Sequence, residues 1–480
     1  MTSSQTDRNR WAALYVLCAG ALMIVLDATI VNVALPSIQD DLGFSASNLA
    51  WVVNAYLIAF GGLLLLAGRV GDLIGQRRIF LIGLAIFTAA SALCALAQTQ
   101  EMLIGARFIQ GVGGALTSAV ILGMIVTMFP KPGEQAKALG VYGFVASAGG
   151  SIGLLSGGVL TDLISWHWIF LINLPVGVIT GVLALRLIEP KPGIGVGAGA
   201  DIPGAVLLTA GVMLGVYTIL GITEHGWTSN RTVGLAAIAA LLLGAFLVRQ
   251  ARIENPLMPL RLFRSRNVTG SNLVMAMIVV GMFGLFFLGA LYLQRILGYA
   301  PLEVGLAFLP STVVMGIVSL RASQPLIMRH GPQRVLVPSL LVTIAGLLLF
   351  ARTPVDGNYV LDILPATLLI GLGAGLSTPA VIALAMSGAT PQDSGLASGL
   401  VNTTVQVGGA IGLAVLATLA SERTGDSTSA VALNSGYHLA YLIGAGALAV
   451  AVVIALVVLR VPRAAVSESA PAAAFAAHAG

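Results

Sequence analysis

The chain has 480 residues, of which 57% are hydrophobic and only 9% are charged, and its mean hydropathy is +0.97. Soluble domains carry roughly 25% charged residues, so 19 acidic and 24 basic side chains cannot cover a water-soluble fold of this length. The composition excludes a soluble globular protein and indicates an all-α integral membrane protein. The 58 glycines fit this class, because small residues let membrane helices pack closely. Cys18 and Cys94 both lie in apolar runs, so no disulfide framework is expected.

Fourteen apolar runs are long enough to cross the roughly 30 Å hydrocarbon core of a bilayer. In chain order they lie near 11–36, 47–68, 77–97, 102–128, 136–161, 166–188, 202–222, 232–249, 267–294, 301–320, 333–350, 359–386, 396–420 and 437–460. The first run is too long for a cleaved signal peptide, so it is expected to remain as a helix.

The distribution of basic residues supports this count. With a cytoplasmic N-terminus, nineteen of the 24 Lys and Arg residues fall on the cytoplasmic side, four on the opposite side, and Arg107 inside a helix. Basic residues concentrate on the cytoplasmic side of membrane proteins. Both termini are therefore predicted to be cytoplasmic, in a multi-pass protein of the cell membrane. The net charge of +5 reflects this bias, so nucleic-acid binding is not predicted.

Two polar linkers, 189–201 and 251–266, bracket the seventh and eighth runs. This pair is interpreted as a hairpin inserted between two six-helix bundles. The predicted units are a first bundle over 1–190, the hairpin with its linkers over 191–266, a second bundle over 267–462 and a disordered, low-complexity tail over 463–480.

An internal repeat relates the two halves. Residues 137–153 align without a gap on 396–412 and share six identities, and shorter matches place 73–78 on 328–334 and 111–116 on 371–376. Duplicated halves with a substrate site between them are the usual build of secondary transporters. The halves differ in charge, because Asp72 falls opposite Met328, Arg107 falls opposite Thr367, and Asp27 has no acidic counterpart. The charged machinery is therefore assigned to the first half.

Five motifs resemble those of the fourteen-helix drug–proton antiporter branch of the major facilitator superfamily. They are LDATIVNVALP (26–36), GRVGDLIGQRR (68–78), RFIQGVGGAL (107–116), GGSIGLLSGG (149–158) and WHWIFLINLPVG (166–177). The chain departs from the branch where Leu154 replaces a usual Pro, where Leu73 and Gln76 replace basic residues, and where His167 replaces a common Arg. The resemblance implies a major-facilitator-like fold and multidrug efflux, with antibiotic resistance, driven by the proton gradient without a cofactor.

Asp27 is a carboxylate inside an apolar helix. A charged residue at a helix centre costs about 2.5–3.5 kcal/mol to insert, and burial disfavours its charged form. Such a group suits proton uptake on one side of the membrane and release on the other. The rise per residue of a helix places Arg107 at a similar depth. The pair is interpreted as a proton-coupling site, and the alternative is a static ion pair between helices 1 and 4.

The loop between helices 2 and 3 is interpreted as a cytoplasmic gate motif. It comprises Gly68, Arg69, Asp72, Gly75, Arg77 and Arg78. Glycine permits a tight turn, and a carboxylate there can stabilise a helix N-terminus of the other half by about 0.3–1 kcal/mol. The alternative is an ordinary basic loop that only sets topology.

Small residues on helix 5 form a predicted packing ridge. Gly149, Gly153 and Gly157 recur every four residues, with Gly158 beside them. This spacing lets another helix approach closely. Whether the ridge also blocks proton leakage is left open.

Polar and adaptable apolar side chains are candidates for a substrate cavity. They are Asn32, Asn54, Gln110, Met275, Phe286, Gln294, Asn402 and Gln406, with Met282 as a further apolar residue. Polar residues of membrane helices also serve interhelical hydrogen bonding, and the apolar ones also suit core or lipid contact. Each candidate therefore has a purely structural alternative.

The sequence has no GxxxxGK[ST] loop, no HExxH motif and no Cys/His cluster, so ATP coupling, a metal site and enzymatic chemistry are not predicted. The predicted function is proton-coupled export of amphipathic or cationic organic compounds by alternating access, by a monomer in the lipid bilayer. The alternatives are export of one metabolite, lipid, siderophore or antibiotic, proton-coupled uptake, and a channel or membrane enzyme.

Overall fold

The computed structural model describes residues 3–45, 48–130, 132–193, 195, 200–254, 256–388, 394–425, 427 and 429–459. The predicted tail, 463–480, lies outside these residues. Thirteen helices of the described chain are long and apolar enough to cross a membrane, and α5 is a fourteenth long helix. The predicted all-α membrane architecture is confirmed.

The helices fall into three groups along the chain. The first six are α1 (Ser3–Leu42), α2 (Trp51–Ile74), α3 (Gln76–Ala95), α4 (Gln100–Met128), α5 (Pro132–Leu163) and α6 (Trp168–Leu187). The next two are α7 (Ile202–Leu220) and α8 (Asn230–Arg252). The last six are α9 (Arg266–Ile296), α10 (Pro301–His330), α11 (Pro332–Phe350), α12 (Tyr359–Ser387), α13 (Ser394–Thr424) and α14 (Ala430–Val457).

Helix ends define two ends of the molecule. Arg10 Nη1, near the start of α1, donates a hydrogen bond to Met128 O at the end of α4, at 3.3 Å. Gln333 Nε2, at the start of α11, donates to Leu459 O just after α14, at 3.2 Å. We call this end the proximal end. It contains the starts of the odd-numbered helices and the ends of the even-numbered helices. The opposite end is the distal end, and the sequence predicts that it faces away from the cytoplasm.

Helices α1–α6 pack into one group and α9–α14 into another, and three helix pairs of the first group recur in the second. In the first group α3 packs on α4, α2 on α4 and α1 on α5, and the matching pairs α11–α12, α10–α12 and α9–α13 recur in the second. The groups meet through α5–α10, α2–α13 and α1–α9. Since apolar faces of membrane helices gain stability chiefly by close packing, these pairs set the positions of the polar side chains.

Glycines that the internal repeat aligns have equivalent environments. Gly75 and Gly331 have φ values of 106° and 84° and directly precede α3 and α11. Glycine adopts positive φ easily because it has no Cβ. Gly111 on α4 closely approaches α2, and the aligned Gly371 on α12 approaches α10. The two halves therefore share local geometry as well as sequence.

The α7–α8 hairpin lies across the seam between the bundles. Helix α7 packs on both α2 and α13, whereas α8 packs on α7. Gly62 of α2 approaches Thr209 of α7, and Thr418 Oγ1 of α13 donates to Ile219 O of α7 at 3.1 Å. The hairpin therefore contacts both halves.

The first apolar run, near 11–36, lies within a longer helix, because α1 extends from Ser3 to Leu42. Pro36 lies inside this helix and supplies no N–H to it. Gln294 Nε2 donates to Val33 O at 2.9 Å, and Arg295 Nη2 donates to Pro36 O at 3.3 Å. Helix α1 therefore reaches the distal end without a break.

Candidate functional site

Asp27 on α1 and Arg107 on α4 form an ion pair in the interior of the first bundle. Arg107 Nη1 lies 2.6 Å from Asp27 Oδ2, and both side chains are 0% exposed. Attraction between charges strengthens in a low-dielectric interior. Removal of both groups from water carries a cost that further hydrogen bonds must offset.

Amide side chains supply these further hydrogen bonds. Gln110 Nε2 donates to Asp27 Oδ1 at 2.7 Å, and Asn173 Nδ2 donates to the same oxygen at 3.0 Å. Arg107 Nη1 also donates to Gln110 Oε1 at 2.7 Å, and its Nε donates to Val52 O at 2.9 Å. The Asp27 carboxylate thus accepts hydrogen bonds from three side chains, which offset part of the cost of its burial.

Ser91 on α3 completes what we call the polar cluster, comprising Asp27, Ser91, Arg107, Gln110 and Asn173. Ser91 Oγ accepts hydrogen bonds from Gln110 at 2.8 Å and from Asn173 at 3.3 Å. The cluster joins α1, α3, α4 and α6 inside the first bundle. Sequence reasoning missed Asn173 and Ser91. Asn173 lies within the motif at 166–177, which could have indicated a role for it. Ser91 lies in a run of small residues, where no motif marks it.

Aromatic rings cover the Arg107 guanidinium. Its central carbon lies 4.5 Å from the centroid of the Tyr56 ring and 5.7 Å from that of Phe170. Arg107 Nη2 has no hydrogen-bond partner among the described residues. A cation over a ring face is attracted by the ring's quadrupole, so the rings stabilise the charge while excluding water.

The polar cluster has no contact with solvent in this conformation. A cavity of about 710 Å³ lies at the distal end, between the ends of α1, α9 and α13 and the start of α14. Asp27 is not among the described residues that line it. Proton exchange at Asp27 would therefore require movement of the surrounding helices.

The glycine ridge of α5 lies against the helix that carries Asp27. A Cβ on Gly149 would lie 3.0 Å from a side chain of α1, and a Cβ on Gly157 would lie 2.6 Å from a carbonyl of α1. Gly153, between them, also leaves no room for a Cβ. A Cβ on Gly158 would instead lie 2.7 Å from Leu302 Cα on α10. The ridge sets the distance from α5 to α1, and its end touches the second bundle.

The predicted gate motif forms the turn between α2 and α3 at the proximal end. Asp72 is exposed and accepts a hydrogen bond from Gln76 Nε2 at 3.3 Å. Arg77 Nη2 donates to Leu185 O, near the end of α6, at 2.6 Å. Of the other motif residues, Gly68 and Arg69 lie half-buried on α2, Gly75 forms the turn and Arg78 is exposed on α3.

The predicted contact of Asp72 with a helix N-terminus of the second half is not among those of the described residues. The chain directly before α13, 389–393, lies outside them. Instead the linker after α6 folds against the turn: Gly195 N donates to Leu73 O at 3.1 Å, and a Cβ on Gly75 would lie 2.8 Å from Lys191 O. The gate role of Asp72 stays a prediction.

The polar candidates for a substrate cavity are dispersed. Gln110 belongs to the polar cluster, and Gln294 bonds to the backbone of α1 at 2.9 Å. Asn32 Nδ2 donates to two carbonyls of its own helix, at 3.2 and 3.3 Å. Gln406 is half-buried where α13 meets Gly61, and Asn402 is exposed on α13. None of these five lines the distal cavity.

The remaining candidates are buried or half-buried. Met275 is buried and Met282 half-buried on α9, and the Phe286 ring packs against Phe308 with centroids 5.5 Å apart. Asn54 is fully buried, and neither polar atom of its side chain has a hydrogen-bond partner among the described residues. A buried amide without a protein partner costs stability.

Known proteins are similar to this chain in sequence and in fold. The family model of the Major Facilitator Superfamily matches residues 17–413. The puromycin resistance protein pur8 of Streptomyces alboniger is 41% identical over 371 residues, which cover 77% of this chain and 73% of that protein. The cephamycin export protein CmcT of Amycolatopsis lactamdurans is 38% identical over 367 residues, 76% of this chain and 75% of that protein.

A solved structure shows the same fold at low sequence identity. The inward-facing, unoccupied structure of a bacterial homologue of the human lysosomal transporter Spinster superposes with a TM-score of 0.66 at 16% identity, covering 93% of this chain and 96% of that chain. Together with the membrane-length helices and the family match, this shows that the chain is a multi-pass membrane protein belonging to the Major Facilitator Superfamily.

Proposed function

We propose that the protein is a proton-coupled antiporter that exports amphipathic or cationic organic compounds by alternating access. The observation that carries the proposal is the polar cluster, in which a fully buried carboxylate is held by Arg107, Gln110 and Asn173. The resistance and export named for the two relatives support the direction of transport. Asp27 is fully buried among the described residues, so the proposed proton site must open to water during the transport cycle.

Proton binding at Asp27 would weaken the ties between three helices. A hydrogen bond to a charged group contributes about 1.5–3 kcal/mol, and the carboxylate accepts one from each of three side chains on α4 and α6. Protonation removes the negative charge, so Arg107 loses its counter-ion and α1 is held less firmly.

Helix α1 can carry this change to the other bundle. It is continuous from Ser3 to Leu42, and the 1.5 Å rise of a helix places Asp40 roughly 20 Å from Asp27. At that distal end α1 contacts α9, and along its length it packs on the glycine ridge of α5, which in turn touches α10. A rigid-body tilt of α1 would thus move the contacts between bundles.

The other parts of the proposal follow from the sequence. The proximal end lies in the cytoplasm of the cell, and Asp72 with its motif stabilises the state closed at that end. The protein works as a monomer in the bilayer, and the proton gradient supplies the energy without a cofactor. Its partners are protons, lipid and a small-molecule substrate.

Export of one antibiotic is a second candidate. The name of the CmcT relative specifies a single compound class, cephamycin, and every feature of the polar cluster suits such a dedicated exporter equally well. A panel of structurally unrelated toxic compounds separates the two, because a dedicated exporter protects cells against one class alone.

The experiment is dye efflux in inverted membrane vesicles with an imposed pH gradient. Wild-type protein should move an amphipathic cationic dye against its gradient and release protons in exchange. Asp27→Asn should abolish proton-driven movement, whereas Asp162→Asn, which changes an exposed carboxylate at the end of α5, should leave it intact. Normal proton-driven efflux by the Asp27→Asn protein would refute the coupling role.

A further inference from the structure

We propose that the distal cavity is a release site for amphipathic organic cations, in which Asp40 binds the cation in exchange for Arg295. The inference rests on the proposed export function for its direction. The cavity has a volume of about 710 Å³, within the roughly 300–1,000 Å³ that drug-sized ligands occupy. Its lining joins apolar side chains, among them Phe44, Phe287 and Tyr437, to one ion pair.

Asp40 and Arg295 both line the cavity, and the carboxylate of this ion pair is more exposed than its guanidinium. The Asp40 side chain is 63% exposed and that of Arg295 is 33% exposed. Arg295 Nη2 pairs with Asp40 and also donates to Pro36 O at 3.3 Å and to Gln39 Oε1 at 3.2 Å. A carboxylate has about four lone-pair sites, so Asp40 can meet an incoming cation before Arg295 leaves it.

Exchange of the cation costs little. Exposed ion pairs contribute little to stability, and Arg295 keeps two acceptors on α1 after it leaves Asp40. The apolar wall then covers the hydrophobic part of the ligand, which favours compounds that join a positive charge to a large apolar body.

The same exchange would loosen the distal contact, defined here as Gln294 and Arg295 of α9 bonded to α1. Gln294 bonds to Val33 O at 2.9 Å, so the contact ties the two bundles at two successive residues of α9. A ligand bound to Asp40 removes the Asp40–Arg295 ion pair from this contact. Occupation of the release site would therefore favour opening of the distal end.

Cysteine labelling in cells without a proton gradient tests the site. Cys18 and Cys94 are both buried, so an added cysteine reports with little background. Ser421→Cys places a thiol in the cavity lining, and Thr228→Cys places one at the distal end outside the lining. Both are labelled from outside with a membrane-impermeant maleimide, with tetraphenylphosphonium or its isosteric anion tetraphenylborate present.

Tetraphenylphosphonium should slow labelling of Ser421→Cys several-fold and leave Thr228→Cys unchanged, and tetraphenylborate should protect neither. Adding Asp40→Asn to Ser421→Cys should remove the protection, whereas adding Arg295→Gln should preserve it. Equal protection by the anion, or protection that survives Asp40→Asn, would overturn the proposal. Failure of both single cysteines to react from outside would overturn it as well, since the distal end would then not face outward.

Efflux by the Thr228→Cys protein separates this proposal from the proposed function. Proton-driven efflux without charge-selective protection of Ser421→Cys refutes the release site alone. Charge-selective protection without proton-driven efflux supports the site and refutes the antiport function.

Discussion

Removing one charge of the Asp27–Arg107 pair should destabilise the protein more than removing both. Breaking a buried ion pair by deleting one partner costs about 3–5 kcal/mol, and the full figure applies here because both side chains are 0% exposed. Asp27→Asn leaves the guanidinium without a counter-ion beneath the ring of Tyr56. Arg107→Met leaves the carboxylate with amide donors alone. The double variant buries no net charge, so its destabilisation should fall short of the sum by about 3 kcal/mol or more.

A double-mutant cycle on purified protein in one detergent measures this coupling. Apparent melting temperatures at a single scan rate give the order of stability, which remains informative where unfolding is irreversible. The double variant should melt above at least one single variant. The pair formed by Asp201 and Arg249 is a matched control with the same N–O separation of 2.6 Å but with Arg249 36% exposed. Asp201 is itself 0% exposed, but water reaches the guanidinium of Arg249, so the coupling should be smaller than that of Asp27 and Arg107.

Additive effects would refute the reasoning. If the double variant melts lower than either single variant by the sum of their shifts, Asp27 and Arg107 are not electrostatically coupled. Equal coupling in the control cycle would show that burial does not decide the strength of the interaction.

Three further predictions concern packing, gating and pH. Gly153→Ala puts a Cβ against α1 and should lower both the melting temperature and proton-driven efflux. A Cβ on Gly150 meets nothing within 4 Å, so Gly150→Ala should change neither. Equal effects of the two variants would contradict the packing role of the glycine ridge. Asp72→Asn alters an exposed side chain, so the melting temperature should be unchanged while efflux in vesicles slows. Unimpaired efflux would contradict the gate role of Asp72. Burial alone would raise the pKa of Asp201, but hydrogen bonds from two side chains of α8 and a backbone N–H hold that pKa below its usual range. The stability that this carboxylate contributes is complete above its ordinary pKa and is lost as the pH falls through the lower pKa of the folded state. The melting temperature of the wild-type protein should therefore fall at acid pH by an amount that Asp201→Asn does not show. Identical pH dependence of the two melting temperatures would contradict this role of Asp201.

The buried amide of Asn54 lies on the face of α2 that is directed toward the second bundle. It lies seven residues from Gly61 on α2, a spacing of about two turns that puts both on one face of a helix. Gly61 closely approaches α13, so Asn54 lies on the side of α2 that meets the second bundle. Asn54 therefore places a fully buried polar side chain near the contact between the two bundles.

The sequence by itself determined the number of membrane helices and the charged centre of the site. A bilayer requires apolar runs of about 20 residues whatever the neighbouring helices do, so each run can be read alone. A charge inside such a run is costly and therefore conspicuous. Asp27 and Arg107 stood out for this reason, and the constant rise of a helix placed them at one depth before their 2.6 Å contact was seen.

Only the tertiary structure decided which polar residues surround that charge and where a cavity forms. Asn173 reaches Asp27 across 146 residues, and Ser91 meets Asn173 across 82. Uncharged polar residues are common in membrane helices, so composition does not mark these two. Gln294 and Arg295 of α9 likewise reach the backbone of α1 across 261 and 259 residues. The membrane sets the length of each helix separately, but rotation and pairing of the helices follow from packing between segments far apart in the chain, and these decide every contact of the site.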